Sequence, residues 1–361
     1  MNAQKSNAYF NGVGHQLKRE ILSVSGFQEG TLPFKYLGVP ITAGRLKKRD
    51  CTVLIDKIVE RIRSLGAKKL SYAGRLVLVT SILSTLYNYW AAMFILPKGV
   101  LERVDAICRN FLWEGSSEYS KAPRIAWTNV CMPKKEGGLG LKQSVIWNAS
   151  LVGKLVWWLV VKQDTLWVQW VHHVYLKGQS FLSYTPHSDT SWYWKKICKV
   201  KEMLIDCFED TAWKIRPEGF TVKSCYNWLR NKHEDVWWCK IIWSNMGAPK
   251  HSFIAWLIIN NALMLKSRLF QLHIAPDNLC CICQLQEENH EHLFHQCVYS
   301  AQILQGVGQW LHADLTQADV LMKITRSRWS KLRKSISLSS LCFIAGIWSG
   351  CRGIRPEFIN A

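Results

Sequence analysis

The chain has 361 residues, with 46 Lys or Arg against 26 Asp or Glu, and a formal net charge of +20. That length predicts two or three domains, while 48 % hydrophobic residues and 19 Trp supply enough apolar volume for packed cores and exclude low-complexity and collagen-like chains. Thirteen Cys, an odd number scattered along a chain with no secretory leader in view, predict reduced thiols and an intracellular location, cytoplasmic or nuclear, rather than a disulfide framework. Apolar runs such as Leu155–Val161 fall short of the roughly 18 residues a membrane span requires.

A surplus of twenty cations must be solvated or matched by an anionic partner, and phosphate backbones are the commonest such partner inside cells. The charge is clustered. Ten Lys or Arg face three acids between Arg45 and Arg75, and six surround Trp329 between Lys323 and Lys334 with no acid among them. Clustering of this kind predicts sequence-tolerant contact with nucleic acid.

In chain order, residues 1–30 carry Gly12, Gly14, Gly26 and Gly30 and predict short strands and turns rather than one long helix. From Cys51 onward Leu54, Ile55, Ile58, Ile62 and Leu65 recur at helical spacing, opposite Asp56, Lys57, Glu60, Arg61 and Arg63, which makes a basic amphipathic helix. A second helix is expected from Tyr72 towards Phe94, stopped at Leu96-Pro97, and a third over about 100–113. Pro133, Gly137, Gly138 and Gly140 predict a loop, followed by an apolar Trp-rich helix over 145–161. Between 171 and 190 the period breaks, the expected boundary of two domains; beyond it lie a short strand or turn entering a helix at 220–229 and an apolar helix over 252–270 interrupted by Asn260 and Asn261. The fold class is mainly α with small β elements (α+β).

The sharpest constellation is Cys280-x2-Cys283, then His292 and Cys297, in a polar stretch with Glu287, Glu288, His290 and His295. Two thiolates three residues apart can grip one ion from a tight turn, and a His and a Cys five apart can reach it from a following helix. Four N/S ligands saturate a tetrahedral shell and leave no place for a catalytic water, so the expected ion is a structural zinc. Spacing leaves Cys281, His290 and His295 as rival ligands. The Gly-rich loop Glu136–Lys142 fits neither the Walker spacing nor the dinucleotide fingerprint and is expected to be a turn. No nucleophile elbow occurs, and aspartates such as Asp50, Asp105 and Asp235 stand alone, so no local motif encodes a two-metal polymerase centre.

Several phrases together resemble the reverse transcriptases of plant LINE-type (non-LTR) retrotransposons. Asn2-Ala3-Gln4-Lys5-Ser6 is similar to the segment just after that family's catalytic aspartate pair, and Leu32-Pro33-Phe34-Lys35-Tyr36-Leu37-Gly38-Val39-Pro40 to its primer-gripping hairpin. Lys69-Leu70-Ser71-Tyr72-Ala73-Gly74-Arg75, Phe111-Leu112-Trp113, Ala126-Trp127 and Pro133–Gly140 resemble its helical thumb-side region. Phe220–Tyr226, then Cys280, Cys283, His292-Leu293-Phe294 and Cys297, resemble its zinc-binding domain.

The resemblance implies a palm remnant and primer-grip-like hairpin over 1–45, a helical thumb-like domain over 46–170, a linker over 171–215, the zinc-binding domain over 216–310 and a basic tail over 311–361. The basic helical face predicts nucleic-acid contact through Arg61, Arg63, Lys68, Lys69 and Arg75, and the resemblance of the hairpin adds Lys35. The family's Asp-Asp turn would lie upstream of Lys5, so no catalytic residue is assigned. A truncated protein that binds nucleic acid and zinc is the expectation; the alternatives are polymerisation with a palm supplied upstream, or a protein-interaction module. Ile347-Trp348 with Arg352 and Gly353 only loosely matches the family's Trp-x-x-Arg-Asn ending.

Overall fold

The computed structural model describes residues 6–10, 12–36, 38–42, 44–66, 70–118, 124–209, 219–243, 249–312 and 314–315. Lys68, Lys69, the segment before Ser6 and the 323–334 basic cluster lie outside them. The described residues are mostly helical, and their strands form only two small two-stranded pairs, as the sequence pattern predicts. No helix among them is long and apolar enough to cross a membrane. The chain divides into two compact units, one of residues 1–54, 88–100 and 148–229, the other of 55–87, 101–147 and 230–361.

In the first unit the opening segment departs from the expected strands and turns. Asn7–Ala8 and Gln28–Glu29 pair in parallel, but the chain between them forms an eleven-residue helix, His15–Ser25. Gly26, at φ 66°, ends that helix in the left-handed conformation with its N–H on the Leu22 carbonyl, so this glycine closes a helix rather than a hairpin. Phe34–Tyr36 and Val39–Ile41 then form the expected antiparallel hairpin, with Lys35 opposite Pro40.

The core of this unit runs from Val152 to Cys225 and joins the Ser144–Val160, Leu166–Val171, Trp192–Glu209 and Val222–Leu229 helices. The aperiodic stretch after Val171 contributes Leu176, Phe181 and Tyr184 to it. Two buried polar side chains act as ties. Asn148 donates to the carbonyls of Ala91 and Phe94 and accepts from the Leu96 amide. Lys201, on the core side of the Trp192–Glu209 helix, donates to the carbonyls of Leu182 and Tyr184.

In the second unit the expected second helix is broken into Tyr72–Leu78, a π-helical turn Val79–Leu83, a short turn Ser84–Leu86 and Asn88–Met93, the last already in the first unit. Its hydroxyls explain the break: Thr80, Ser81, Ser84 and Thr85 bond back to the carbonyls of Leu76, Val77, Val79 and Ile82 and compete with the helical ladder. The Lys98–Glu114 helix forms as expected. Tyr72 and Phe253 stack in the interior with their rings 5.3 Å apart, and Trp113 meets both edge-on.

The Gly-rich loop is a turn whose glycines are forced by its neighbours. A Cβ on Gly138 would stand 2.0 Å from the Met132 carbonyl oxygen, and Gly137 sits at φ 97°. Buried Glu136 receives both Arg230 guanidinium nitrogens, at 2.5 and 2.6 Å, and the His233 amide, so Arg230 holds its carboxyl below the usual range. Trp256 closes the loop from the Pro249–Ile259 helix by donating its indole N–H to the Gly137 carbonyl.

Asp105 is a half-buried carboxyl in this unit. Burial pushes it up from 3.8 to about 6, against the Ser144 hydroxyl and amide that both donate to it. A raised carboxyl contributes stability that is complete below pH 3.8 and lost as pH rises through about 6. Replacing Asp105 by Asn should therefore flatten the stability profile between about pH 4 and 6, a difference of up to about 3 kcal/mol, in urea unfolding of both proteins across that range.

Candidate metal centre

The segment that follows the Lys266–Gln271 helix has little regular structure, and its shape comes from backbone hydrogen bonds around a tight turn. Leu279 and Glu287 form an isolated antiparallel bridge, the Cys280 amide donates to the Gln286 carbonyl at 2.7 Å, and the Gln284 amide donates to the Cys280 carbonyl. Gln284 accordingly adopts φ 59°, in the left-handed region. This knuckle brings Cys280 and Cys283 to one side. The turn also points amides at sulfur. Burial pushes the Cys280 thiol up to about 12, opposed by the N–H groups of Cys283 and Ile282. For Cys283 burial acts in the same sense, but the N–H groups of Leu285 and Gln286, with the Cys280 and Cys297 thiols, outweigh it and lower the thiol.

The other two residues arrive on a single wide turn. His292–Gln296 is π-helical, and the Cys297 amide donates to the His292 carbonyl at 2.7 Å, an i to i+5 bond. Cys297 is then the N-cap of the Val298–Leu311 helix, so its sulfur lies at that helix's positive end. Sequence spacing predicts a His and a Cys reaching from a following helix; the structure puts the His on the π turn before it and the Cys at its cap. The ligand atoms of Cys280, Cys283, His292 and Cys297 all lie within 4.8 Å of one another.

The donor set fits a tetrahedral N/S ion. A shell with sulfur at about 2.3 Å and nitrogen at about 2.0 Å has edges of about 3.5–3.8 Å, so four atoms this close need only a small adjustment to close on one ion. Cys283 Sγ and His292 Nε2 are 3.2 Å apart. His292 Nδ1 lies 3.0 Å from Gln286 Oε1, an oxygen that only accepts, so Nδ1 carries the proton and Nε2 presents its lone pair to the cluster. Burial keeps this imidazole below its ordinary pKa, against the Glu288 carboxylate, and so favours the neutral form a metal needs.

The three rival residues stand elsewhere. None of them belongs to the four-residue cluster. His290 packs on the Phe294 ring 5.0 Å away, bonds the Ile258 backbone and is lowered first by burial. Cys281 is held by its amide, which donates to Glu288.

In the sequence Glu288 is one acid of a polar stretch, with nothing to mark a role. It is fully buried, and its carboxylate accepts the Lys266 amide at 2.7 Å and the Cys281 amide at 3.0 Å. Its own amide donates to the Asn278 carbonyl, and its carbonyl accepts from Ser267. One side chain thus fastens the start of the Lys266–Gln271 helix to the residue after Cys280. Neither spacing nor composition signals this; only the burial does.

Of the residues expected to meet nucleic acid, Lys35 is exposed on the hairpin and Arg61 and Arg63 are exposed in the last turn of the Thr52–Ser64 helix, whose Leu54, Ile58 and Ile62 are buried. Arg75 does not join them. It is 2 % exposed, and its guanidinium donates to the Trp113 carbonyl at 3.3 Å beside the Tyr72 ring, because the helix it sits on packs that face inward. Lys68 and Lys69 lie outside the described residues.

Residues 220–303 match the family model described as zinc-binding in reverse transcriptase. The chain is also 32 % identical over 141 residues to a putative ribonuclease H protein of Arabidopsis thaliana, covering 39 % of this chain and 23 % of that one. It is 32 % identical over 100 residues to an uncharacterized mitochondrial protein of the same plant, covering 26 % of this chain and 66 % of that one. Residues 220–303 of this chain thus carry a reverse-transcriptase zinc-binding domain, and the chain is similar to these two plant proteins over part of its length.

Glu288→Gln keeps the side chain's shape but turns one acceptor into a donor facing a backbone N–H. Loss of a hydrogen bond to a charged acceptor costs about 1.5–3 kcal/mol, so the Lys266 and Cys281 amides should exchange with solvent about ten- to a hundredfold faster, as native-state hydrogen exchange would read.

Proposed function

We propose that this chain is a nucleic-acid-binding part of a retrotransposon reverse transcriptase, ordered in its second unit by one structural zinc. The supporting observation is the close grouping of Cys280, Cys283, His292 and Cys297 inside the segment that matches the zinc-binding family model. When bound, the ion supplies a cross-link and a saturated shell with no open position for chemistry. The protein's own groups do the rest: backbone amides favour the Cys283 thiolate and partly offset burial at Cys280, and Gln286 fixes the His292 tautomer.

Nucleic acid meets the chain through exposed cations, Lys35 on the hairpin and Arg61 and Arg63 on the helix. Such contacts act on phosphate and carry no sequence preference. Polymerisation is not assigned to this chain, since its sequence carries no Asp-Asp pair for a two-metal centre. Primer extension by the purified chain with magnesium and deoxynucleotides would overturn that part of the reading.

Two measurements test the rest. Metal analysis should give about one zinc per chain, released by Cys283→Ser or His292→Ala and retained in Cys281→Ser and His290→Ala. Retention in the first pair, or loss in the second, would mean a different ligand set.

Affinity for nucleic acid should fall steeply with salt. The double replacement of Arg61 and Arg63 by Ala should make the slope of log affinity against log salt shallower by about 0.7–0.9 for each phosphate that is no longer neutralised. An unchanged slope would remove this helix face from the interface.

A further inference from the structure

A cleft in the first unit, of about 280 Å³, is lined by none of the residues assigned so far. Trp192, Tyr193 and Phe94 give it an aromatic lining, Leu46 and Ile95 add apolar surface, and Arg45 supplies the charge. Among the described residues no acidic side chain lines it. The aromatic part is built firmly: the Tyr193 hydroxyl donates to the Met93 carbonyl at 2.8 Å, and its ring meets Phe94 edge-on with centroids 6.3 Å apart. Two cations gather on one ring. The guanidinium of Arg45, which lines the cleft, is 5.1 Å from the Trp192 ring, and the ammonium of Lys196, outside the lining, is 5.6 Å from the same ring. Among the described residues neither cation makes an ion pair.

A flat aromatic wall beside two such cations matches a ligand with an apolar planar body and an anionic group next to it. A nucleotide is such a ligand. Small-molecule sites run from about 300 to 1,000 Å³, so this cleft, at the lower edge, has room for one nucleotide and not for a dinucleotide cofactor. Bases of a duplex are paired and stacked and cannot enter it; an unpaired base can turn its face to Trp192.

We propose that this cleft takes one unpaired nucleotide of a single-stranded nucleic acid, its base stacked against Trp192 and its phosphate met by Arg45 and Lys196. The inference rests on the nucleic-acid-binding reading and adds to it a preference for single strands. Arg45 moves from the tryptophan face to phosphate as the base arrives, so the same ring parks the cation before binding and receives the base after it.

The test compares the full-length chain with its Trp192→Ala, Trp192→Phe and Arg45→Gln variants, binding labelled single strands of about ten nucleotides and the matching duplex at fixed salt. Trp192→Ala should weaken single-strand binding about tenfold and leave duplex binding as in the wild type, while Trp192→Phe should restore most of the loss. Arg45→Gln should weaken single-strand binding and make its salt slope shallower by about 0.7. Equal losses for strand and duplex, or none in Trp192→Ala, would overturn the cleft and leave the general reading standing. Absence of any binding by the wild type would overturn both. A deoxynucleoside monophosphate that displaces the strand at equal concentration would make this a free-nucleotide pocket and overturn the strand assignment.

Discussion

A single buried carboxylate holds the metal-binding end of this chain in register. Glu288 has no exposed surface, and its carboxylate is met by main-chain amides from Lys266 and Cys281. Burying a charge without partners is costly, so the carboxylate is tolerable only while both of those stretches of backbone stay in place. The constraint is mutual. The knuckle around Cys280 keeps its position relative to the Lys266–Gln271 helix because the carboxylate requires it, and His292 lies only four residues beyond that same carboxylate.

The apolar contribution of this segment explains why such ties are needed. Of the apolar residues around the ligands, Leu293 and Phe294 are buried, whereas Leu279 is 40 % and Leu285 72 % exposed. Two buried side chains cannot offset the entropy of ordering so long a polar loop. Hydrogen bonds to Glu288 take that role instead, and an ion shared by the four side chains would reinforce them by fixing a different side of the same turn.

Much of the architecture was legible in the sequence, and the exceptions have physical causes. Helices at Lys98–Glu114 and Ser144–Val160 stand where the apolar period predicts them, and the two Cys, the His and the last Cys converge as their spacing suggests. The helix beginning at Tyr72 was expected to continue unbroken because apolar periodicity does not register hydroxyls that bond back to their own helix, as Thr80 and Ser84 do. The Trp192–Glu209 helix drew no prediction: Lys201 occupies one of its core positions, and a buried lysine tied to two carbonyls reads in sequence as an exposed charge. Arg75 misleads in the same way. A cation in a basic stretch looks like a phosphate ligand, and only packing reveals that it serves the Trp113 carbonyl. The roles of Glu288 and Gln286 were out of reach for a related reason, since a polar residue in a polar stretch carries no mark of whether it faces water or a neighbour's amide.

Cys297 gives the metal centre mechanical reach. It belongs to the Cys and His cluster and is also the residue from which the Val298–Leu311 helix departs. That helix carries Trp310 near its far end, 67 % exposed, at an axial distance of about 20 Å from the ligand. A rigid rod pivoting at its root amplifies angle into displacement: a tilt of about ten degrees at the sulfur sweeps the indole through about 3 Å. Whatever fixes the Cys and His cluster therefore also aims a large aromatic side chain, and the aim is as sharp as the cluster is tight.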